Sequence, residues 1–122
     1  MSALRLHENR LQGRIPESVT NMLQMTWLNL DMTRLSGSIP VGIGKMSKMS
    51  DLQLHENRLQ GRIPESVTNM LQMTRLYLHM NSLSRSIPVG IGKMSKMTQL
   101  VLHMNSLSGN IPVGIPSEQQ AN

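Results

Sequence analysis

The residues with the most chemical potential form one column. His55, His79 and His103 stand 24 residues apart, His7 stands two such steps before His55, and Asp31 fills the gap between them. On adjacent strands about 4.8 Å apart, two imidazoles come close enough to share a metal or to repel one another once protonated. A repeat copies its histidines along with everything else, so the column by itself implies neither a metal site nor a base. What it implies is a change in binding between pH 5 and 7, near the usual histidine pKa of about 6.5. Glu8, Glu17, Glu56 and Glu65 are also repeat positions rather than a convergent pair, and no base is placed to activate a serine. GIGK at 42–45 and 90–93 lacks the spacing and the following Ser/Thr of a phosphate loop. The expectation is therefore no catalytic residue, no cofactor and no metal ligand, hence no enzyme.

The elements that must position this column repeat as well. LHENRLQGRIPESVTNMLQMT runs from Leu6 to Thr26 and recurs letter for letter from Leu54 to Thr74. LxL pairs fall at Leu4/Leu6, Leu28/Leu30, Leu52/Leu54, Leu76/Leu78 and Leu100/Leu102, again in steps of 24. Each pair reads as a short strand with its leucines inward and its alternate residues outward. Asn9, Asn57, Asn81 and Asn105 follow, placed to bond backbone groups that an inward turn leaves unpaired, and Thr33 interrupts this ladder and should weaken its coil. Gly13, Gly37, Gly61 and Gly109 permit a bend two residues before an Ile or, in the last case, before Ile111. Pro16, Pro40, Pro64, Pro88 and Pro112 then fix an extended direction. Val19, Met22 and Met25, with their copies, have the three-residue spacing of a tight helical turn facing inward. No coil can bury its apolar side alone, whereas a stack of coils can.

At 122 residues the chain suits one domain with an aliphatic core: there is no Phe, one Trp, one Tyr and twelve Met. Methionine specifies packing weakly and oxidises readily. Cysteine is absent, which excludes disulfides and thiolate chemistry. No apolar run has the length of a signal peptide or membrane span, so membrane insertion is not expected. The net charge of +5 favours an acidic partner. Nucleic acid is disfavoured because stacking aromatics are lacking.

The string NxLSGxIP, repeated from Leu4 to about Ile115, resembles the plant-type leucine-rich repeat. The resemblance implies an α/β solenoid: a five-coil right-handed superhelix with a short-stranded parallel sheet on its concave side and loops or 3-10 turns on its convex side. It places the repeats at 4–27, 28–51, 52–75, 76–99 and 100–116, with a tail at 117–122, in one solenoid over 1–122. It also implies a module that binds proteins or peptides, with a cell-surface or extracellular setting. The alternatives are an ice-binding solenoid and a scaffold without ligand. The chain departs from the family in its methionines, in Arg85 at a glycine position, and in lacking both cysteine caps and Asn-x-Ser/Thr sequons. The expectation is therefore an excised fragment, a truncated gene product or an artificial assembly of repeats, whose uncapped ends favour self-association.

A 48-residue repeat overlies the shorter one, since residues 4–51 match 52–99 except at a few positions. Arg5/Gln53, Trp27/Arg75, Asn29/Tyr77, Asp31/His79 and Asp51/Gln99 differ, all at strand positions expected to face solvent. Glu17/Glu65, Asn21/Asn69, Lys45/Lys93 and Lys48/Lys96 on the far side do not differ. The varied sheet face is thus the expected recognition surface: Trp27, Asn29, Asp31, Arg75, Tyr77 and His79, with His55 and His103 beside them. Aromatic and arginine side chains are what interface hot spots favour.

Overall fold

The computed structural model describes residues 2–5 and 13–109. His7, Asn9, Pro112 and the tail at 117–122 lie outside the described residues. Ala3–Arg5, Trp27–Asn29, Asp51–Gln53, Arg75–Tyr77 and Gln99–Val101 form a five-stranded parallel sheet in chain order. Its register keeps the 24-residue step: Leu4, Leu28, Leu52, Leu76 and Leu100 lie side by side. A second set of strands continues each coil, and these pair with a step of 22, as in Gly13 with Leu35 and Gln60 with Ser82. Opposite the main sheet, Glu17–Asn21, Val41–Lys45, Glu65–Asn69 and Val89–Lys93 are 3-10 helices, each entered from a proline. Proline suits that place because it pre-sets φ and the first turn needs no donor there.

Inward leucines and isoleucines, with Met25, Met46, Met49, Met70, Met73 and Met94, make one continuous core. The asparagines sit between coils. Asn81 Nδ2 donates to the carbonyl of Leu54 in the preceding coil at 3.0 Å and to Leu78 in its own at 3.1 Å. Its Oδ1 accepts from the Leu59 amide at 3.0 Å. Asn57 and Asn105 repeat this clasp. Thr33 does not simply break the ladder. It is wholly buried, its hydroxyl donates to the Leu30 carbonyl at 2.7 Å, and its amide donates to Asn57 Oδ1 at 3.1 Å. A hydroxyl thus closes the turn within its own coil and leaves Asn57 to join it to the next.

A second ladder was not anticipated from the sequence. The hydroxyls of Thr26, Ser50, Thr74 and Thr98 each donate to the carbonyl of the matching residue one coil earlier, at 2.9–3.1 Å. The exchange of Ser50 for Thr98 is silent because both side chains carry the one group needed.

The far side explains the 48-residue period. A Cβ on Gly44 would stand 2.5 Å from the Ser66 carbonyl oxygen, and one on Gly42 or Gly90 would press on Thr20 or Thr68 at 2.9–3.0 Å. Glycine coils (VGIGK) therefore interlock with hydroxyl coils (ESVTN), and GIGK is a packing motif. Part of the constancy of that side reflects this fit, in which Glu17 also lies against Gly42, while Asn21, Lys45 and Lys93 are exposed.

Gly13, Gly37, Gly61 and Gly109 all have positive φ, and Arg85 has a φ of +70° in the same place. An L-residue there costs about 1–2 kcal/mol. Arg85→Gly is expected to stabilise the fold by about 1 kcal/mol, read as a raised thermal midpoint by circular dichroism. Gly44→Ala is expected to destabilise it by about 1–3 kcal/mol in the same measurement, because backbone rather than a flexible side chain opposes the new methyl.

Candidate functional site

The register of the five strands builds three outward columns. Trp27, Asp51, Arg75 and Gln99 lie side by side in the first, and Arg5, Asn29, Gln53, Tyr77 and Val101 in the second. Asp31, His55, His79 and His103 follow one inward leucine later in the third. The backbone then turns sharply: Met32, Glu56, Met80 and Met104 all have φ between 54° and 59°. That turn ends the sheet and fixes the edge of the surface.

The histidines stack. The His55 and His79 rings are 4.4 Å apart at 12°, and those of His79 and His103 are 4.7 Å apart at 20°. Tyr77 meets both His55 and His79 edge-on, at 5.6 and 5.8 Å, and its hydroxyl donates to Gln99 Oε1 at 2.5 Å. One end of the column is acidic, with Asp31 Oδ2 lying 3.4 Å from His55 Nε2. In the other columns Arg5 covers the Trp27 ring at 4.0 Å, Arg75 Nη1 is 3.7 Å from Asp51 Oδ2, and Gln53 donates to Asp51 Oδ1 at 2.9 Å. Among the described residues no group of three or more His, Asp or Glu side chains converges on a metal position.

The eight expected site residues share one face, but not all of them face solvent. Asn29 is 9% exposed and Asp31 8%, a correction to their expected exposure. They are short side chains among longer neighbours, and each is also held locally, since Asn29 Oδ1 accepts from the Asp31 amide at 3.2 Å. Trp27, His55, Tyr77, His79 and His103 are half-buried, and Arg75 is exposed. Sequence reasoning did not place Arg5, Asp51, Gln53 and Gln99 in the site, although they orient its aromatic and arginine side chains. Their signal was present, because all four stood among the positions that differ between the long repeats.

His79 is the electrostatic centre of the stack. Burial, then the charges that His55 and His103 would carry, lower its pKa to about 4 from 6.5, and Asp31 opposes this weakly. The fold therefore favours neutral His79. Between pH 6.5 and about 4 the unfolded chain binds more protons at this residue than the folded chain does. Its contribution to stability is complete above pH 6.5, falls as the pH drops through that window and levels off below about 4. His79→Gln is expected to flatten this part of the stability–pH curve, measured by urea denaturation from pH 7 to 4. An unchanged slope would remove His79 as its source.

Solved structures place this architecture. A TDR receptor superposes with a TM-score of 0.92 at 32% identity, over 93% of this chain and 20% of that one. The Arabidopsis receptor kinase HAESA, solved in complex with the peptide hormone IDA and the co-receptor SERK1, gives 0.88 at 36%, over 92% and 19%. A plant ice-binding protein gives 0.82 at 29%, over 92% and 36%. The chain thus spans about a fifth of the length of these receptor chains. No family model and no curated protein sequence matches it. The repeated NxLSGxIP string and the close superposition on plant receptor ectodomains agree, and the chain belongs to the plant-type leucine-rich-repeat family.

Proposed function

We propose that the chain is a non-catalytic recognition module that binds a protein or peptide across the outward face of its five-stranded sheet. One observation carries the reading. The buried side-chain polar atoms without a hydrogen-bond partner among the described residues are Trp27 Nε1, Asp31 Oδ1, His55 Nδ1 and His79 Nδ1, and all four lie on that face. Native interiors pair such atoms, so each calls for a partner, which a bound ligand, a water or an ion can supply. Trp27 and Tyr77 supply large rigid surfaces of the kind that dominates binding energy. The peptide-hormone complex of HAESA supports the reading by analogy.

Ice binding calls for flat, uniform rows, and the columns here mix Trp, Asp, Arg and Gln in one row and Arg, Asn, Gln, Tyr and Val in the next. On the flank, Ser84 pairs with Ser106 and Ser86 with Ser108, but exposed Arg85 stands between them. The ice-binding relative therefore supports the shared fold more than a shared activity.

The test begins with random peptides displayed on phage and panned against the immobilised chain. Selected peptides are expected to lose about thirtyfold or more in affinity for Trp27→Ala or Tyr77→Ala, the range of a hot spot worth about 2 kcal/mol. Lys45→Ala and Lys93→Ala, on the opposite side, are expected to leave affinity unchanged. The reverse pattern would move the site to the far face and end this reading.

A further inference from the structure

We propose that the sheet face takes a ligand through a cationic group, an arginine or lysine side chain or a free amino terminus, seated at Asp31 beside the histidine column. The proposal rests on the recognition reading above and adds the chemistry of what is recognised.

Charge pairing on the face leads to it. The described ionised groups there are Arg5, Asp31, Asp51 and Arg75. Asp51 has Arg75 at 3.7 Å on one oxygen and the Gln53 amide at 2.9 Å on the other. Arg5 rests on the Trp27 ring. Both cations are thus engaged. Asp31 differs from Asp51 on every count. Among the described residues its Oδ2 has only His55 Nε2 at 3.4 Å, longer than a charge-assisted hydrogen bond, and its Oδ1 is buried with no partner. A carboxylate withdrawn from water without a cation is costly, and a cation brought to it removes that cost.

The hydrogen-bonding pattern has the same sign. His55 Nε2 is the ring nitrogen turned toward the carboxylate, and Nδ1 is the one left buried without a partner. Of the four unpartnered atoms, Asp31 Oδ1 is an acceptor, His55 Nδ1 and His79 Nδ1 are acceptors in the Nε2-protonated tautomer, and Trp27 Nε1 is a donor in every state. Ammonium and guanidinium groups offer donors and no acceptor, so they complement this set. A carboxylate offers the opposite and would meet Asp31 with repulsion.

The chain's net positive charge does not argue otherwise. Lys45, Lys48, Lys93 and Lys96 lie away from this face, and Lys48 and Lys96 donate to Gln24 and Gln72 there. The sign of the whole protein and the sign at Asp31 are therefore opposite, and the proposal made from Asp31 differs from the acidic ligand expected from composition.

The experiment pans the same displayed peptides against the full chain and against Asp31→Asn and Asp31→Glu, each confirmed folded by circular dichroism. Enrichment of Arg and Lys is expected with the native chain and with Asp31→Glu, and its loss with Asp31→Asn. A synthetic copy of one native-selected peptide, compared with the same peptide carrying citrulline in place of arginine or norleucine in place of lysine, is expected to bind about tenfold more tightly to the native chain. That comparison needs no variant and holds even if Asp31→Asn fails to fold. Enrichment of Asp and Glu, equal binding of the neutral copy, or basic enrichment kept by Asp31→Asn would each overturn the proposal. Peptides that lose affinity for Tyr77→Ala yet show no basic preference would overturn it while leaving the recognition reading standing. Failure to select any peptide would overturn both.

Discussion

Every coil must turn inward after its strand, and that turn leaves backbone donors and acceptors facing an aliphatic core. The side-chain amide that clasps two coils is what makes the turn affordable. Asn57, Asn81 and Asn105 each donate to carbonyls of two successive coils and accept an amide from the preceding one. An unmet buried donor or acceptor costs about 1–3 kcal/mol, which the clasp removes at these three turns, while at Thr33 the hydroxyl meets the need within its own coil. Because the clasp fixes the step between coils, it also fixes the spacing of everything on the outer face. The imidazoles stack at 4.4 and 4.7 Å for that reason.

Two further devices share the work. The Ser/Thr hydroxyl ladder ties the entry of each strand to the coil before it, and the glycine and hydroxyl coils interlock on the far side. Together they divide the chain into positions that cannot vary and positions that can. Gly44 is held by the Ser66 backbone, and Leu76 by the core, whereas position 75 or 77 need only project from a strand. Chemistry can therefore change along the sheet face at little cost to the framework.

The framework was legible because its physics is periodic. The LxL strands, the positive-φ glycines, the prolines and the inward methionines each leave a mark at 24-residue steps, and the structure bears each of them out within the described residues. The site was legible only as a set of columns. The alternation of the repeat placed Asn29, in the strand, and Asp31, in the turn after it, on the right face, but exposure depends on how far the neighbours reach, and a three-letter pattern says nothing about that. The Ser/Thr ladder escaped notice for a related reason. Serine and threonine differ in the sequence and coincide in the hydroxyl, so a functional constancy looked like a small change. The role of Gly42 and Gly44 was hidden because their partners lie a full coil away in the chain.

The same separation of framework from face governs how charge should be read. Net charge sums over all surfaces, and in a solenoid those surfaces have different duties. The four lysines, a third of the chain's twelve Lys and Arg side chains, project from the side where alternate coils interlock. On the sheet face, Arg5 and Arg75 are engaged by Trp27 and Asp51, and among the described residues there Asp31 is the carboxylate without an arginine or lysine beside it. Long-range attraction at physiological ionic strength fades over about 8 Å, which lets two faces of one small protein present opposite requirements. Composition predicts how such a chain meets its surroundings, whereas the pairing of individual charges predicts what it holds.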